Sequence, residues 1–330
     1  MQNHVFLFVI TKQGEYRLKE KNDIYPSLMM KRAFNIIFLI ITIILVSCSR
    51  DVYMYSSFHE PATDGLRYLW SRDGMHWDSI PGTWLAPKVG KQHVMRDPSI
   101  QSTPDGVFHM VWTSSWRGDR GFGYASSCDL VHWSKERLIE IMSDTTTVNV
   151  WAPELFYDDS RKEMMIVWAS CVPYKFEKGQ EDENNNHRLY YTTTKDFVTF
   201  TPAKLLFDTH FSAIDATILK RGENDYVMVL KDNTRQNRNL RISFAKDVHG
   251  PWTEPSETFT ENFVEGPTTV KLGKDYIIYY DRYQKYDFGA MKTRDFIHFT
   301  DVTSEIHIPS LHKHGTIFKA PKRLVNKLIK

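Results

Sequence analysis

One unit recurs five times along the chain, and a recurrence at this spacing restricts the fold more than any other feature. Each copy is an alternating strand with Ser or Thr, then an Asp, then an aromatic a few residues on. The copies are LRYLWSRDGMHW (66–77), FGYASSCDLVHW (122–133), RLYYTTTKDFVTF (188–200), LRISFAKDVHGPW (240–252) and FGAMKTRDFIHF (288–299). Their anchoring residues Asp73, Asp129, Asp196, Asp247 and Asp295 lie 48 to 67 residues apart. A propeller blade of four short strands needs about that much chain. The Asp is suited to tie a tight turn through backbone amides, and the aromatic to pack between blades.

A second series keeps the same rhythm. Asp97-Pro-Ser-Ile, Ala152-Pro-Glu-Leu, Asp215-Ala-Thr-Ile, Glu265-Gly-Pro-Thr and His314-Gly-Thr-Ile each open a strand. A period-two strand follows each of the first four: VFHMVWTSSW (107–116), EMMIVWASCV (163–172), DYVMVLKDN (225–233) and DYIIYYDRY (275–283). His314 has only 16 residues after it, while DVYMYSSFH (51–59) and the first Asp repeat have no opener. The last blade is therefore expected to take its innermost strand from the C-terminus and its outer strands from the N-terminal side, which leaves no free seam. The fold class is all-β, a five-bladed β-propeller.

In a propeller the innermost strands surround a central channel, so residues that open them converge on one mouth of it. Those residues here are Asp97, Ala152, Asp215, Glu265 and His314, four of them ionisable. Taken singly, Asp97 reads as a turn cap, Asp215 as a strand-end acceptor and Glu265 as a loop carboxylate. Their common phase favours chemistry. Crowded carboxylates have pKa values pushed apart, leaving one protonated and another ionised. Glycoside hydrolysis needs such a pair, one acid for the leaving oxygen and one base for water.

Composition excludes other classes. A net charge of +2 with interspersed signs gives no electrostatic case for nucleic acid. Cys48, Cys128 and Cys171 form neither a disulfide framework nor a metal-ligand spacing, and Cys128 and Cys171 read as small buried thiols. The 14% of aromatic residues suits both strands and sugar-stacking surfaces.

The N-terminal region reads as an address. Lys31-Arg32 precedes the apolar run AFNIIFLIITIILV (33–46), too short to span a bilayer, which takes roughly 20 residues. Leu45-Val46-Ser47-Cys48 then resembles a bacterial lipobox, which implies cleavage before Cys48 and lipidation of its thiol. Met29-Met30 marks an alternative translation start. The expected organisation is a non-native leader (1–28), a lipoprotein signal peptide (29–47) and one propeller domain (48–330). An exported lipoprotein on the outer membrane follows, touching the membrane through its lipid anchor alone, with periplasmic or surface display open.

RDPSI, NVWAPELFYD, IDATI, EGP and HGT occur in an order that resembles glycoside hydrolase family 43 and covers the chain after residue 50. The resemblance implies an inverting, monomeric hydrolase with Asp97 as general base and Glu265 as general acid. Asp215 would orient the acid and raise its pKa, and acid and base would stand about 6.5–9.5 Å apart to admit a water. It also implies that His314 lies beneath the site and helps to hold a structural calcium ion through water, against a plain hydrogen-bonded histidine. No Asp-rich calcium loop is present. Trp151 and Trp116 are candidate sugar contacts, with core packing the competing reading for Trp151. Arg282 would reach the sugar or brace Glu265, or form a plain salt bridge. Glu154 reads as a structural partner. The polar segment 174–187 (YKFEKGQEDENNNH) reads as a solvated excursion or as a wall of the entrance.

The implied substrate is an arabinose- or galactose-containing polysaccharide of plant type, with release of terminal α-L-arabinofuranose expected. An exo-β-1,3-galactosidase or a β-xylosidase is the alternative within the fold, and a non-catalytic glycan-binding propeller is the alternative outside catalysis. A sialidase is rejected, because SRDGMHW lacks the full Asp-box spacing and no Tyr/Glu pair with an arginine cluster accompanies it.

Overall fold

Five antiparallel sheets follow one another along the chain in the computed structural model, which describes residues 51–330 and, before them, two short strands, Leu7–Ile10 and Tyr16–Lys19. Those two pair as a hairpin, Leu7 with Lys19. The apolar run 33–46, the start at Met29 and the lipidation site Cys48 lie outside the described residues.

The first blade comprises Arg96–Ser102, Phe108–Thr113, Gly121–Ser127 and Arg137–Glu140, and the second Trp151–Asp158, Glu163–Ser170, Arg188–Thr194 and Lys204–Phe207. The third has three strands, Ala213–Gly222, Asp225–Asp232 and Asn239–Ala245. Where a fourth would run, only an isolated Ala245–Trp252 bridge forms; Pro251 and Pro255 lack the N–H that a ladder needs. The fourth blade is Glu265–Leu272, Asp275–Arg282, Asp287–Thr293 and Phe299–Asp301. The fifth joins Ile317–Pro321 to Asp51–Ser57, Arg67–Ser71 and Asp78–Ile80 in that order, so the first and last strands of residues 51–330 share one sheet. The seam closes as the repeat arithmetic predicts.

Each blade is buried on both faces, and period-two alternation divides its side chains between its two neighbours. Met110 and Trp112 pack toward the fifth blade, whereas Val111 packs toward the second. Ile166 and Trp168 go back to the first blade, Met165 and Val167 forward to the third. Met228 and Leu230 face the second blade, Val227 and Val229 the fourth. Ile278 and Tyr280 face the third, Ile277 and Tyr279 the fifth. The near-continuous apolar runs of the second strands follow from this double burial.

Four of the five Asp turns form as expected, and Asp247 keeps one of the two bonds, from the His249 amide. Asp73 Oδ1 accepts from the amides of Met75 and His76 at 2.8 and 2.9 Å, and Asp129, Asp196 and Asp295 repeat the pattern. Trp77 packs edge-on to Tyr279 of the neighbouring blade, centroids 6.2 Å apart. Cys171 is buried, but Cys128 is exposed, because it falls one residue past its strand in the turn.

Candidate active site

The innermost strands do not begin straight. In each of the first four blades the pairing slips by one residue at its start, between Arg96 and Ser99, Trp151 and Glu154, Ile214 and Thr217, and Glu265 and Thr268. The extra residue of each bulge has a left-handed backbone: Asp97 at φ +52°, Ala152 at +45°, Asp215 at +51° and Gly266 at +57°. Bulges of this kind re-aim side chains, and the conformation costs a non-glycine residue roughly 1–2 kcal/mol. Held at this cost in two blades, Asp97 and Asp215 face the channel.

The register corrects one expectation. Gly266, not Glu265, is the equivalent of Asp97, Ala152 and Asp215. Glu265 stands one residue earlier, level with Arg96, Trp151 and Ile214, and all four of these line a cavity of about 530 Å³. Asp97, Asp215 and His314 border the same cavity, so the three candidate acids do meet. Gly266 is needed for a second reason: a Cβ there would lie 2.0 Å from His314 Cγ.

Asp97 is fully engaged. His314 Nε2 lies 2.9 Å from its Oδ1, and the Thr113 hydroxyl donates to Oδ2 at 2.7 Å while accepting from the Ala152 amide at 2.8 Å. Burial alone would raise the Asp97 carboxyl, but His314, Arg96 and Thr113 hold it below its ordinary value. Burial alone would likewise lower His314, yet its bonds to Asp281 (3.3 Å) and Asp97 raise it well above 6.5, making it an imidazolium between two carboxylates. Arg96 is wedged between the rings of Phe58 and Trp116, 4.8 and 4.0 Å from their centroids, and paired with Glu60.

Glu265 meets a cation instead. Lys231 Nζ, 3% exposed, donates to Glu265 Oε2 at 2.9 Å. Burial pushes the Glu265 carboxyl up, but Lys231 and then His314 outweigh it and lower the group. Asp215 shifts the other way, raised by burial and by its carboxylate neighbours, and its Oδ2 accepts from the Gly266 amide at 3.0 Å. Glu265 and Asp215 repel each other, the interaction through which the resemblance implies that Asp215 lifts the acid.

Trp151 and Trp116 both border the cavity, edge to face at 5.8 Å, with Trp151 Nε1 donating to the Trp116 carbonyl at 3.0 Å. Trp151 stacks on His187 at 4.6 Å, and the His187 ring is held by buried Glu181 at 2.5 Å. The segment 174–187 is thus a wall: its Glu181, Asp182, Glu183 and Asn185 border the cavity. Arg282 is not a sugar contact. It binds Asp287 at 2.6 Å and Glu261 at 3.4 Å away from the cavity, because alternation sends Asp281 to one face of the strand and Arg282 to the other. Glu154 enters the channel below, accepting from Thr217 at 3.1 Å and Thr316 at 2.8 Å, and burial raises it to about 7.

Lys231, Asp281 and Thr113 were not singled out from sequence, although a signal exists. Thr113, Ala169, Lys231 and Asp281 pair with Arg96, Trp151, Ile214 and Glu265, so they occupy one phase near the end of the second strands. Three of the four are polar in otherwise apolar runs, and each reaches the following blade: Thr113 to the Ala152 amide, Lys231 to Glu265, Asp281 to His314. Both imidazole nitrogens of His314 face carboxylates, Asp97 and Asp281, which is the plain hydrogen-bonded arrangement, and ligand atoms of His314, Asp281 and Glu265 lie within 4.8 Å of one another, a grouping that could hold a metal ion.

A five-bladed propeller with Asp97, Asp215 and Glu265 around one end of its channel has the build of a glycosidase. The chain belongs to the glycosyl hydrolase 43-related family, described as "Probable glycosyl hydrolase domain", which it matches over residues 50–323. An alpha-L-arabinofuranosidase of Bifidobacterium longum subsp. longum is 26% identical over 200 residues, 51% of this chain and 19% of that protein. The match therefore takes in less than a fifth of the relative's length. The catalytic domain of the GH62 alpha-L-arabinofuranosidase of Coprinopsis cinerea has a TM-score of 0.51 at 13% identity, covering 71% of this chain and 77% of that one. That likeness bears on the fold alone. The alpha-L-arabinofuranosidase of Lactobacillus brevis has a TM-score of 0.48 at 19% identity, covering 63% and 72%.

Proposed function

We propose that this protein is an inverting glycoside hydrolase that releases terminal α-L-arabinofuranose from arabinose-containing polysaccharide of plant type. The observation that carries the reading is the placement of Asp97 and Glu265 on different blades around one cavity, each with its own cationic partner. Asp97, kept ionised by His314 and Arg96, takes a proton from the attacking water as general base. Glu265 acts as general acid in its protonated form, giving the proton to the departing oxygen through Oε1, which among the described residues accepts no hydrogen bond; the Lys231 pair is its ionised state. Asp215, bonded to the Gly266 amide, fixes the backbone that carries Glu265. Trp151 and Trp116 supply the apolar surface against which the sugar ring rests. The arabinose preference draws on the name of the Bifidobacterium relative.

The test is to incubate residues 49–330 with arabinan, arabinogalactan and xylan and to identify the released sugar by chromatography. Arabinose is expected. Galactose would move the reading to an exo-β-1,3-galactosidase, and xylose alone, or no sugar, would overturn it. Glu265→Ala is expected to lower kcat/KM on an arabino-oligosaccharide by about 10²–10⁴-fold. The same reading places residues 48–330 outside the cell on a lipid anchored at Cys48. Labelled palmitate should enter the full chain expressed in a bacterium and fail to enter Cys48→Ala.

A further inference from the structure

We propose that the basic face of the C-terminal helix seats the propeller on anionic phospholipid headgroups, a second contact beside the lipid anchor, and turns the catalytic cavity away from the membrane. This rests on the reading of Cys48 as the lipidated residue. Residues 319–330 carry five basic side chains and no acidic one. In the helix Lys322–Leu328, Leu324, Val325 and Leu328 are buried in the core shared by the fifth and first blades. With about 3.6 residues per turn, Lys322, Arg323, Asn326 and Lys327 fall within about 140° of arc on the opposite side. All four are exposed, and so is Lys330 beyond the helix. Downstream of residue 310 the ion pairs among the described residues are those of Lys313 and His314, so Lys322, Arg323, Lys327 and Lys330 have no carboxylate partner there. A helix with one buried apolar face and one basic face is suited to a membrane surface.

The direction of the strands fixes which end of the propeller carries this face. Each inner strand starts at the cavity, the fifth just after His314, and runs away from it. Pro321 therefore lies about 20 Å below the cavity, at the opposite end of the ring. Asp51–Ser57 is antiparallel to Ile317–Pro321 and starts at that end, with Asp51 paired to Pro321. Lys322 follows Pro321 directly, and Cys48 precedes Asp51 by three residues. Three residues reach at most about 10 Å. A lipid on Cys48 thus brings the bilayer to the end of the ring that holds the helix.

Charge and shape select the partner. The face presents cations on long stems without a cleft between them, which suits a fluid array of phosphates rather than one shaped ligand. Asp51, the exposed acid on the paired strand, is outnumbered. Ile329, 42% exposed beside the cations, can enter the headgroup layer. Each basic side chain close to an anionic leaflet raises the partition about five-fold, over a Debye length of about 8 Å at physiological salt. The anchor confines the chain to the leaflet, and the basic face adds orientation. With the cavity outward, polymer that cannot approach the bilayer still reaches Asp97 and Glu265.

Residues 49–330 contain all five blades and the seam, so they serve for a binding test free of any lipid anchor. They are sedimented with vesicles of phosphatidylcholine alone and with vesicles containing one-third phosphatidylglycerol. At least about 10-fold more protein is expected on the anionic vesicles at about 0.1 M salt, and the excess is expected to vanish at about 0.5 M. Equal binding to the two vesicles overturns the proposal without any variant. Lys322→Gln, Arg323→Gln, Lys327→Gln and Lys330→Gln together leave Leu324, Val325 and Leu328 in place and are expected to lower binding to the phosphatidylcholine level. A variant that melts like wild type and still binds overturns the proposal. Orientation is read on the full chain with Cys128→Ser, lipidated in a bacterium and reconstituted in the anionic vesicles. A dye at Asn326→Cys is expected to be quenched several-fold more by nitroxide-labelled headgroups than one at Tyr286→Cys, an 82% exposed site three residues beyond Tyr283 of the cavity wall. Equal or reversed quenching overturns the outward-facing cavity. If palmitate does not enter the full chain, the anchor reading fails, and sedimentation of residues 49–330 still decides the headgroup contact.

Discussion

Gly266 shows how little room the site leaves at the level of one residue. Its backbone is left-handed, and a methyl group there would run into His314 2.0 Å away. Gly266→Ala must therefore pay for strain of roughly 1–2 kcal/mol and push aside the imidazole that holds Asp97. The expected outcome is a loss of about 100-fold or more in kcat/KM, with a smaller fall in stability measured by urea titration. An active Gly266→Ala enzyme would mean that His314 does not set the geometry of Asp97. The His314 ion pairs also have a sign. The folded pKa of His314 is raised, so their contribution is complete below its unfolded value near 6.5 and fades as pH rises through the folded value. Asp97 is shifted down, so its share is complete above its unfolded value and fades as pH falls.

At the level of the strand, what repeats is the bulge and what varies is the side chain it carries. Thr113 shows how adjacent blades share that work, since its hydroxyl donates to Asp97 in its own blade and accepts from the Ala152 amide in the next. Thr113→Val keeps the shape and removes both bonds. With the donor gone, the Asp97 carboxyl rises, so the acidic limb of kcat/KM is expected to shift to higher pH, with a fall of about 10-fold at the optimum. An unmoved acidic limb would remove Thr113 from the support of the base. The same elements decide what could be read from sequence. Blade count, seam and the meeting of Asp97, Asp215 and Glu265 were legible, because turns and apolar alternation are local signals. The phase of Glu265 was displaced by one, since Gly266 occupies the bulge and a glycine carries no charge to mark it. Of the readings for Arg282 the plain salt bridge is the one realised, because its neighbour Asp281 holds the inward position. Lys231 escaped notice because a charge in an apolar run becomes meaningful only when the packing of the third blade against the fourth brings Glu265 beside it.

For the molecule as a whole, a ring of blades is as stable as its seam, and here the seam has two parts. Ile317–Pro321 pairs with Asp51–Ser57 along five residue pairs, Ile317 with Tyr55 through Pro321 with Asp51. Beyond it, the helix Lys322–Leu328 buries Leu324, Val325 and Leu328 in the core shared by the fifth and first blades, beside Val52, Met54 and Phe318. Burial of three such side chains contributes at most roughly 5–9 kcal/mol, comparable with the whole stability of an ordinary domain. The helix is thus a clamp on the joint that holds His314, which lies just upstream of the closing strand. Removing residues 322–330 while keeping Ile317–Pro321 is expected to lower Tm by about 10 °C or more, or to abolish a cooperative melt. Removing only residues 329–330, which leaves all three buried side chains in place, should change Tm little. A melt of the chain ending at Pro321 that matches the intact protein would show that strand pairing alone seals the ring. The separation of stability from chemistry is then read on the same samples. A weakened seam should reduce sugar release at temperatures where the melt begins, while Thr113→Val should change the pH profile at temperatures where both proteins are folded.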